Sequence, residues 1–495
     1  MTKNSILKSF FRFNSIITIG NVLVSLKSII LVPIIIKSVG VSAYGAFVLL
    51  SSILGIIYGI SNFGAGFRAQ RFLPSTNKII KKQKLFYEQF YFQIISISSF
   101  ALIYVVFKSK IDYFFFNNEI SYSSLLVPAY LISFAIYSQA SFYFRFTSRI
   151  NYMTVIGVCF AYLDIGIIFL SLFFFEKINV SIFIFSQVIS SIIIIIPSFT
   201  IILREIGIRL SFYKFNELIE DIKLGFPLTL NFIVEFILSG SDRYLIALYL
   251  SVSDVGIYNP AYMIGSLIII FPKAMSGALP QLLSRAVDSK KNSEAYKLID
   301  YSLKLFFIVA IPYIAGSIIF GEKLLLILAN NDVAQGGYKL IPIIALGTFF
   351  YGANLILSNI LFVEMKTKKI FKMNLIASIF NLVFNFILLF IFKSIIVAAI
   401  STLISYFIAF IYISTNVIKE WKINFQLSVI TKSTIASLIM IFSLSLLSDN
   451  FSEGFISLLL QVVLGASIYA LTLLIIKTFS KDELNYIKNI FLYKK

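Results

Sequence analysis

Charged side chains interrupt several long apolar stretches of this sequence, and they are the first residues that could do chemistry. Lys27 and Asp164 each lie in the middle of such a stretch, and Lys273 lies near the end of another. Glu235 and Asp242 are seven residues apart in a single stretch, which puts both carboxylates on one face of a helix. A charge in the centre of a bilayer costs about 2.5–3.5 kcal/mol on insertion scales. We therefore expect these side chains to face water, a partner or the protein interior.

The cationic members of this set could bind an anion. Lys27, Arg68 and Lys273 together would suit a diphosphate, whose charge bases neutralise. Alternatively, these cations pair with Glu235, Asp242 or Asp164 and only hold helices together, and Arg68 also fits a basic anchor at the cytoplasmic face. Both interpretations remain open from the sequence.

The acidic members could couple transport to an ion. A buried carboxylate that alternates between two solvents can exchange H⁺ or Na⁺, so Asp164, Glu235 and Asp242 are candidate coupling residues. A structural ion pair is the alternative for each of them. Asp242, next to Arg243, also fits a local surface feature near the outer membrane face.

Two polar stripes run along later stretches at helical spacing. One contains Asn374, Ser378, Asn381 and Asn385, and the other contains Tyr351, Asn354 and Ser358. Amides and hydroxyls can bind sugars in a wet cavity, which makes Asn354 and Asn381 candidate substrate contacts. They serve equally well as hydrogen-bonding groups between helices.

Several kinds of site are excluded by residue types. The chain has no histidine and a single cysteine, Cys159, so imidazole ligands and cysteine metal sites are excluded. No Gly-Lys pair occurs, so the phosphate loop of an ATPase is absent. Gly64-x-Gly66-x-x-Ala69 has the weak form of a dinucleotide fingerprint, but it ends an apolar stretch instead of following a strand. We predict no cofactor and no metal.

Composition requires the bilayer as the solvent for this chain. Of its 495 residues, 59% are hydrophobic and 13% charged. We predict an all-α polytopic membrane protein with about fourteen helical spans, whose first span is not a cleaved signal. The longest polar stretches, 204–223 and 281–302, are expected to form helices at the cytoplasmic surface.

Basic residues predict the topology. With a cytoplasmic N-terminus, segments on the inside hold about 32 of the 42 lysines and arginines. The same asymmetry explains the net charge of +19 without a nucleic-acid partner. An even number of spans then leaves the C-terminus in the cytoplasm as well.

A short internal repeat predicts two related lobes. VSAYGAF at 41–47 resembles VSDVGIY at 252–258, and at the same offset Lys273 matches Asn62. The copies are six spans apart, which makes the repeat parallel about an axis along the membrane normal. The predicted domains are six-helix lobes at 1–210 and 211–420, followed by two extra helices and a tail at 421–495. Asn62 joins the candidate substrate contacts because it is the counterpart of Lys273.

The chain resembles the polysaccharide-export flippases of bacteria, the Wzx-type O-antigen translocases. That family belongs to the multidrug, oligosaccharidyl-lipid and polysaccharide exporter superfamily. The resemblance rests on size, on span count and on these motifs: Gly20-Asn21, Pro33, Val39-Gly40, Tyr44-Gly45, Asn62-Phe63-Gly64-Ala65-Gly66, Arg68, Gly225-Phe226-Pro227-Leu228, Asp242-Arg243-Tyr244 and Val255-Gly256-Ile257-Tyr258.

The resemblance implies two six-helix lobes around a cavity and an undecaprenyl-diphosphate-linked oligosaccharide as substrate. It implies alternating access in the cell membrane, with Lys27, Arg68 and Lys273 as bases of the cavity. Membrane lipids, a glycan polymerase and glycosyltransferases are the partners it implies. An ion-coupled drug or solute antiporter of the same fold is the main alternative. A membrane glycan polymerase or ligase is disfavoured because the outside loops near 108–121 and 321–337 are short.

Overall fold

The computed structural model describes residues 3–76, 78–116, 123, 125–174, 179–289, 292–421, 423, 426–447 and 454–479. All the regular secondary structure in these ranges is helical. The first helices are α1 (Lys3–Val39), α2 (Val41–Ser61), α3 (Phe67–Phe72), α4 (Ile79–Phe116), α5 (Leu126–Phe146), α6 (Ile150–Phe174), α7 (Val180–Ile206), α8 (Phe215–Tyr249) and α9 (Val252–Gly265). After a 3-10 turn at Leu267–Ile269 come α10 (Ile270–Asp288), α11 (Asn292–Leu328), α12 (Asn331–Gly337), α13 (Leu340–Val363), α14 (Thr367–Phe392), α15 (Ile395–Trp421), α16 (Leu427–Leu447) and α17 (Phe455–Ile475).

The membrane-spanning character of the chain is confirmed. Within the described ranges, 13 segments are long and apolar enough to cross a membrane, one fewer than the sequence suggested. The difference is α5, which has 21 residues but is not among the 13. Its side chains include Gln139 and Arg145 as well as several serines, and it buries one face against α4, α6 and α7.

The described chain divides into two compact units. The first takes in the described parts of Met1–Asn259 together with Leu382–Ile395, and the second takes in those of Pro260–Asn381 and Ile396–Lys495. The two units group residues that lie close together in space. They do not test the two lobes predicted from the repeat, and the boundaries of those lobes stay a prediction.

An aromatic cluster forms much of the interior of the first unit. Phe86 lies 5.1 Å from Tyr143 between ring centroids, joining α4 to α5. Phe90 lies 5.6 Å from Phe199, which joins α4 to α7. On another side α1 packs against α6. These contacts fix α4 against α5 and α7, and α1 against α6.

The two C-terminal helices, α16 and α17, dock onto α11 in the second unit. The Tyr469 hydroxyl donates to the carbonyl of Ile308 at 2.8 Å, and Lys323 donates to Gln461 at 3.1 Å. The two extra helices predicted within 421–495 correspond in position to α16 and α17, and their separation from two six-helix lobes stays a prediction.

The polar stretch 204–223 differs from the expected surface helix. Its ends belong to α7 and α8, and the intervening residues 207–214 are not helical. Helix α7 ends at Ile206, and the carbonyl of its C-cap residue Gly207 accepts a hydrogen bond from Tyr87 at 2.6 Å. In the second polar stretch, the described residues extend α10 and α11.

Candidate substrate and ion sites

Lys27 and Asp164 form an ion pair inside the first unit. The Nζ atom of Lys27 on α1 lies 2.5 Å from Oδ2 of Asp164 on α6. The Asp164 side chain is 0% exposed, and that of Lys27 is 14% exposed. The Ser186 hydroxyl on α7 donates to the other carboxylate oxygen at 2.5 Å. One buried carboxylate thus joins three helices, and it neutralises a base that the sequence suggested for a diphosphate.

An aromatic ring lies next to this pair. The Lys27 ammonium lies 5.1 Å from the centroid of the Phe160 ring, which adds a cation–π contact. Breaking a buried ion pair by removing one partner costs about 3–5 kcal/mol, because the remaining charge stays desolvated. The pair is therefore stable as a unit and sensitive to any change in the charge of either member.

Asn62 belongs to a tight turn that follows α2. Its side-chain oxygen accepts a hydrogen bond from Gln89 on α4 at 3.0 Å. Within the same turn, Gly64 and Gly66 have φ values of 77° and 96°. A Cβ atom on Gly64 would lie 2.1 Å from the carbonyl carbon of Gly225 on α8, so only glycine allows this approach. The glycines that resembled a nucleotide motif serve backbone packing.

Asp221 on α8 holds this turn through its carboxylate. The backbone N–H of Gly66 donates to Oδ2 at 2.9 Å, and that of Arg68 donates to Oδ1 at 2.8 Å. The Tyr213 hydroxyl also donates to Oδ2, at 2.7 Å. Burial, and next the Asp221 charge, raise the pKa of Tyr213 above its usual range, so its hydroxyl remains a donor. We call this arrangement the Asp221 latch.

An acid of α8 pairs with the Arg68 side chain. The Nη1 atom of Arg68 lies 3.5 Å from Glu217, which also contacts Lys84 at 3.2 Å. Lys84 in turn lies 3.6 Å from the buried Glu88. Arg68 is therefore engaged through both its backbone and its guanidinium.

A second polar network joins α2, α8 and α9. The Tyr258 hydroxyl donates to Asp242 at 2.6 Å, and Asp242 also pairs with Arg243 at 3.2 Å. Arg243 donates through Nε to Asn259 at 2.8 Å, and the amide of Asn259 donates to the Tyr44 hydroxyl at 2.8 Å. Asp242 is buried, so it is not the surface feature that the sequence left open.

The two repeat copies contact each other through their glycines. A Cβ atom on Gly45 would lie 2.0 Å from the carbonyl oxygen of Val252, and one on Gly256 would lie 2.2 Å from that of Val41. Each glycine meets the first residue of the other copy, so the contact is reciprocal. Further along, Gly59 of α2 meets the Phe232 ring of α8. Together with the Gly64–Gly225 contact, these approaches define an antiparallel seam along α2.

Alanine at Gly45 or Gly256 is expected to lower the melting temperature of the purified protein. The new methyl group would overlap a backbone carbonyl, and overpacking of this kind costs about 1–3 kcal/mol. Gly55 on the same helix is a matched control, since a Cβ atom there would have no neighbouring atom within 4 Å. There alanine should leave stability unchanged or raise it by about 1 kcal/mol through helix propensity. Equal melting temperatures for Gly45→Ala and Gly55→Ala would contradict the seam.

Glu235 and Lys273 are both exposed on spanning segments. Glu235 accepts a hydrogen bond from Asn231, one turn earlier on α8, at 2.8 Å. Lys273 lies on α10 in the second unit. Ionised side chains at membrane depth require water or a charged partner, so both helix faces are suited to line a wet path.

The candidate amides of the second unit converge on α15. Asn354 donates to the carbonyl of Tyr406 at 3.3 Å, and Asn381 donates to the Thr402 hydroxyl at 3.3 Å. The Tyr351 ring stacks on Tyr406 with centroids 4.7 Å apart. Both amides are buried, so their contacts favour hydrogen bonding between helices over direct sugar binding in this state.

Sequence reasoning did not single out four residues of the two polar networks. None of the four is a charged residue inside an apolar stretch. Asp221 and Tyr213 lie in the polar segment before α8 and in its first turns, where acids and aromatics are typical of a solvated surface. Tyr44 and Asn259 carry no charge at all. Their one available signal was proximity to the repeat, since Tyr44 lies within the first copy and Asn259 follows the second.

Two protein-family models match this sequence. The model described as "Polysaccharide biosynthesis protein" matches residues 10–282, which is more than half of the chain. The model described as MatE matches residues 227–387. No curated protein sequence matches the chain.

Solved structures with the same fold include both flippases and drug transporters. The lipid II flippase MurJ in an inward closed conformation is 17% identical, with a TM-score of 0.74, over 93% of this chain and 98% of that one. A multidrug resistance MATE transporter of the MOP superfamily, inward-facing, is 12% identical, with a TM-score of 0.63 over 81% and 94%. The MATE multidrug transporter DinF-BH, solved as a complex, is 17% identical, with a TM-score of 0.60 over 84% and 96%.

These similarities agree with the resemblance seen in the motifs. The fold is the one that MurJ and the MATE transporters share, and the polysaccharide biosynthesis match runs from residue 10 in α1 to residue 282 in α10. The 13 candidate spans in the described residues make this a multi-pass membrane protein. The chain therefore belongs to the polysaccharide biosynthesis protein family.

Proposed function

We propose that this protein is a flippase for an undecaprenyl-diphosphate-linked oligosaccharide in surface polysaccharide biosynthesis. The family match over residues 10–282 carries the proposal. The substrate would be taken up at the cytoplasmic face of the cell membrane and released at the outer face by alternating access. The surface polysaccharide would be an O-antigen, a capsule or an exopolysaccharide. Glycosyltransferases would make the repeat unit, and a glycan polymerase would consume it.

The candidate bases for the diphosphate differ in how exposed their side chains are. Lys273 is exposed, which favours it as the first contact. Lys27 and Arg68 are held by carboxylates, so each would bind phosphate only by exchanging one anion for another. Asn62, Asn354 and Asn381 are proposed contacts for the sugar, and they become available where helix packing changes during transport.

The Lys27–Asp164 pair offers a route for ion coupling. If the diphosphate takes Lys27, then Asp164 loses its partner and gains affinity for H⁺ or Na⁺. Loss of that ion would re-form the pair and expel the phosphate. Glu235 is exposed and could exchange an ion directly, whereas Asp242 would first have to leave Tyr258 and Arg243.

The topology proposed with this function has both termini in the cytoplasm. The distribution of lysine and arginine supports it. The diphosphate would then meet its bases from the side on which lipid-linked repeat units are assembled.

Replacing Lys273 with alanine is expected to reduce surface glycan about tenfold or more, since losing one charge-assisted contact of about 1.5–3 kcal/mol weakens substrate binding. The measurement is glycan on intact cells, with the amount of membrane-inserted protein determined in parallel. Lys273→Arg keeps the charge and should retain most activity. Normal glycan in cells that carry both Lys273→Ala and Lys27→Ala would overturn the anion-binding role.

An ion-coupled drug or solute antiporter is the second candidate, and the MatE match over residues 227–387 favours it. Deletion of the gene separates the two functions. A flippase predicts loss of surface glycan with unchanged drug sensitivity, whereas an antiporter predicts higher drug sensitivity with normal glycan.

A further inference from the structure

The segment between α7 and α8, residues 207–214, lies along the first turns of α4. Tyr87 donates to the carbonyl of Gly207 at 2.6 Å, and Tyr91 donates to that of Arg209 at 3.4 Å. The Tyr91 and Phe212 rings follow, with centroids 5.0 Å apart. The segment is not helical, its last residue Lys214 has extended backbone angles, and these contacts fix it against α4.

Its side chains alternate between two faces. Arg209, Ser211 and Tyr213 are half-buried, and Tyr213 belongs to the Asp221 latch. Between them, Ile208 is 75% exposed, Leu210 76% and Phe212 59%. An extended chain places alternate residues on opposite sides, so these three apolar side chains form one outward row.

The row lies at the level where the apolar part of the membrane begins. On α4 the contacted turns carry Lys81, Lys82 and Lys84 together with the buried Glu88, and the uncharged run 90–107 follows them. On the flanking helices, exposed Arg204 lies in the last turn of α7 and exposed Lys223 precedes the exposed Leu224 of α8. Such a change from basic to apolar residues marks the headgroup region of a bilayer.

Exposed bases lie on the elements next to the row, namely α3, the start of α4 and the start of α8. They are Arg71, Lys78, Lys81, Lys214 and Lys223. Of the nearby acids, Glu217 pairs with Lys84, and Asp221 is buried in its latch, which leaves Glu220 as an exposed acid on this part of α8. Bases beside projecting apolar groups fit an anionic phospholipid surface, with each base near that surface contributing about a fivefold preference for it.

We propose that residues 208–212 form an interfacial anchor, which inserts Ile208, Leu210 and Phe212 among the headgroups of anionic phospholipids. The anchor fixes the membrane depth of the α4 end and, through Tyr213, of the Asp221 latch. This role is independent of the transported substrate.

Tryptophan fluorescence in vesicles tests the anchor. The chain has one tryptophan, Trp421, so Phe212→Trp is made in a Trp421→Phe background. The protein is reconstituted into phosphatidylcholine vesicles, with or without phosphatidylglycerol, containing lipids brominated on their acyl chains. The bromines should quench the introduced tryptophan about fivefold more strongly than one placed at Ser289, an exposed residue beyond α10. Phosphatidylglycerol should increase the quenching further.

Matched variants separate the apolar and basic contributions. Leu210→Trp reports from the same face and replaces Phe212→Trp if that variant does not fold. Changing Lys78, Lys81 and Lys214 to glutamine should remove the effect of phosphatidylglycerol but not the quenching itself. Quenching of both introduced tryptophans by aqueous iodide, with no more lipid quenching than at residue 289, would overturn the anchor. Equal quenching with and without phosphatidylglycerol would overturn the choice of anionic lipid.

Discussion

Replacing Asp164 with alanine is expected to abolish surface glycan and to lower the melting temperature of the purified protein. Lys27 would keep its charge in an apolar site with no carboxylate beside it, and Ser186 would lose its acceptor. Removing one member of a buried pair costs about 3–5 kcal/mol, a large part of the stability of an ordinary fold. Thermal unfolding in detergent and glycan display on cells measure the two effects.

The double variant Lys27→Ala/Asp164→Ala separates stability from transport. With both charges gone, no desolvated ion remains, so most of the lost stability should return. If the pair couples ion movement to transport, glycan display should nevertheless stay absent. Normal glycan display by the double variant would contradict the coupling role and leave the pair with a structural one.

Replacing Asp221 with alanine is expected to release the turn at 62–66. The carboxylate accepts hydrogen bonds from Gly66, Arg68 and Tyr213, and each hydrogen bond to a charged group contributes about 1.5–3 kcal/mol. A cysteine at the buried Ala65, in a Cys159→Ser background, reports the release through its reaction with a water-soluble maleimide. The reaction should become at least about tenfold faster, since each 1.4 kcal/mol corresponds to a tenfold change in population.

Glu220 provides the matched control for the Asp221 latch, because it is the neighbouring acid and is exposed. Glu220→Ala should leave the maleimide reaction at Ala65→Cys unchanged. Asp221→Asn should be intermediate, since its carbonyl oxygen can still accept one of the hydrogen bonds. Equal reaction rates in Asp221→Ala and Glu220→Ala would show that the carboxylate does not hold the turn.

The helical architecture could be predicted from the sequence, because an apolar run long enough to cross a bilayer satisfies its backbone hydrogen bonds by forming a helix. The repeat also had a physical meaning, since Gly45 and Gly256 meet the opposite copies at backbone distance. The segment 207–214 could not be predicted, because its conformation depends on tyrosines of α4 that are more than a hundred residues away. Helix α5 shows a different limit, because part of its low hydropathy comes from Ser133 and Gln139, which neighbouring helices bury.

The candidate site was predictable in residue type but not in pairing. A charge within an apolar run must be satisfied, which correctly drew attention to Lys27 and Asp164. Which acid meets which base depends on how α1 packs against α6, and no spacing rule contains that information. Asp221 shows a harder case, because in the sequence it cannot be distinguished from the exposed Glu220 beside it.

The seam along α2 relates the protein to the thickness of its membrane. Helix α2 has 21 residues and at 1.5 Å per residue is about 32 Å long, close to the roughly 30 Å of a bilayer's hydrocarbon, with Gly45 near its start and Gly64 in the turn that follows it. Both glycines are fixed by contacts with other backbone segments, so α2 is a strut of nearly constant length. Because α2 cannot slide past these segments, a thinner or thicker bilayer is met by tilting the helix or by deforming the lipid around it. Acyl-chain length is thereby a physical variable that acts on the packing of α2 against α8 and α9.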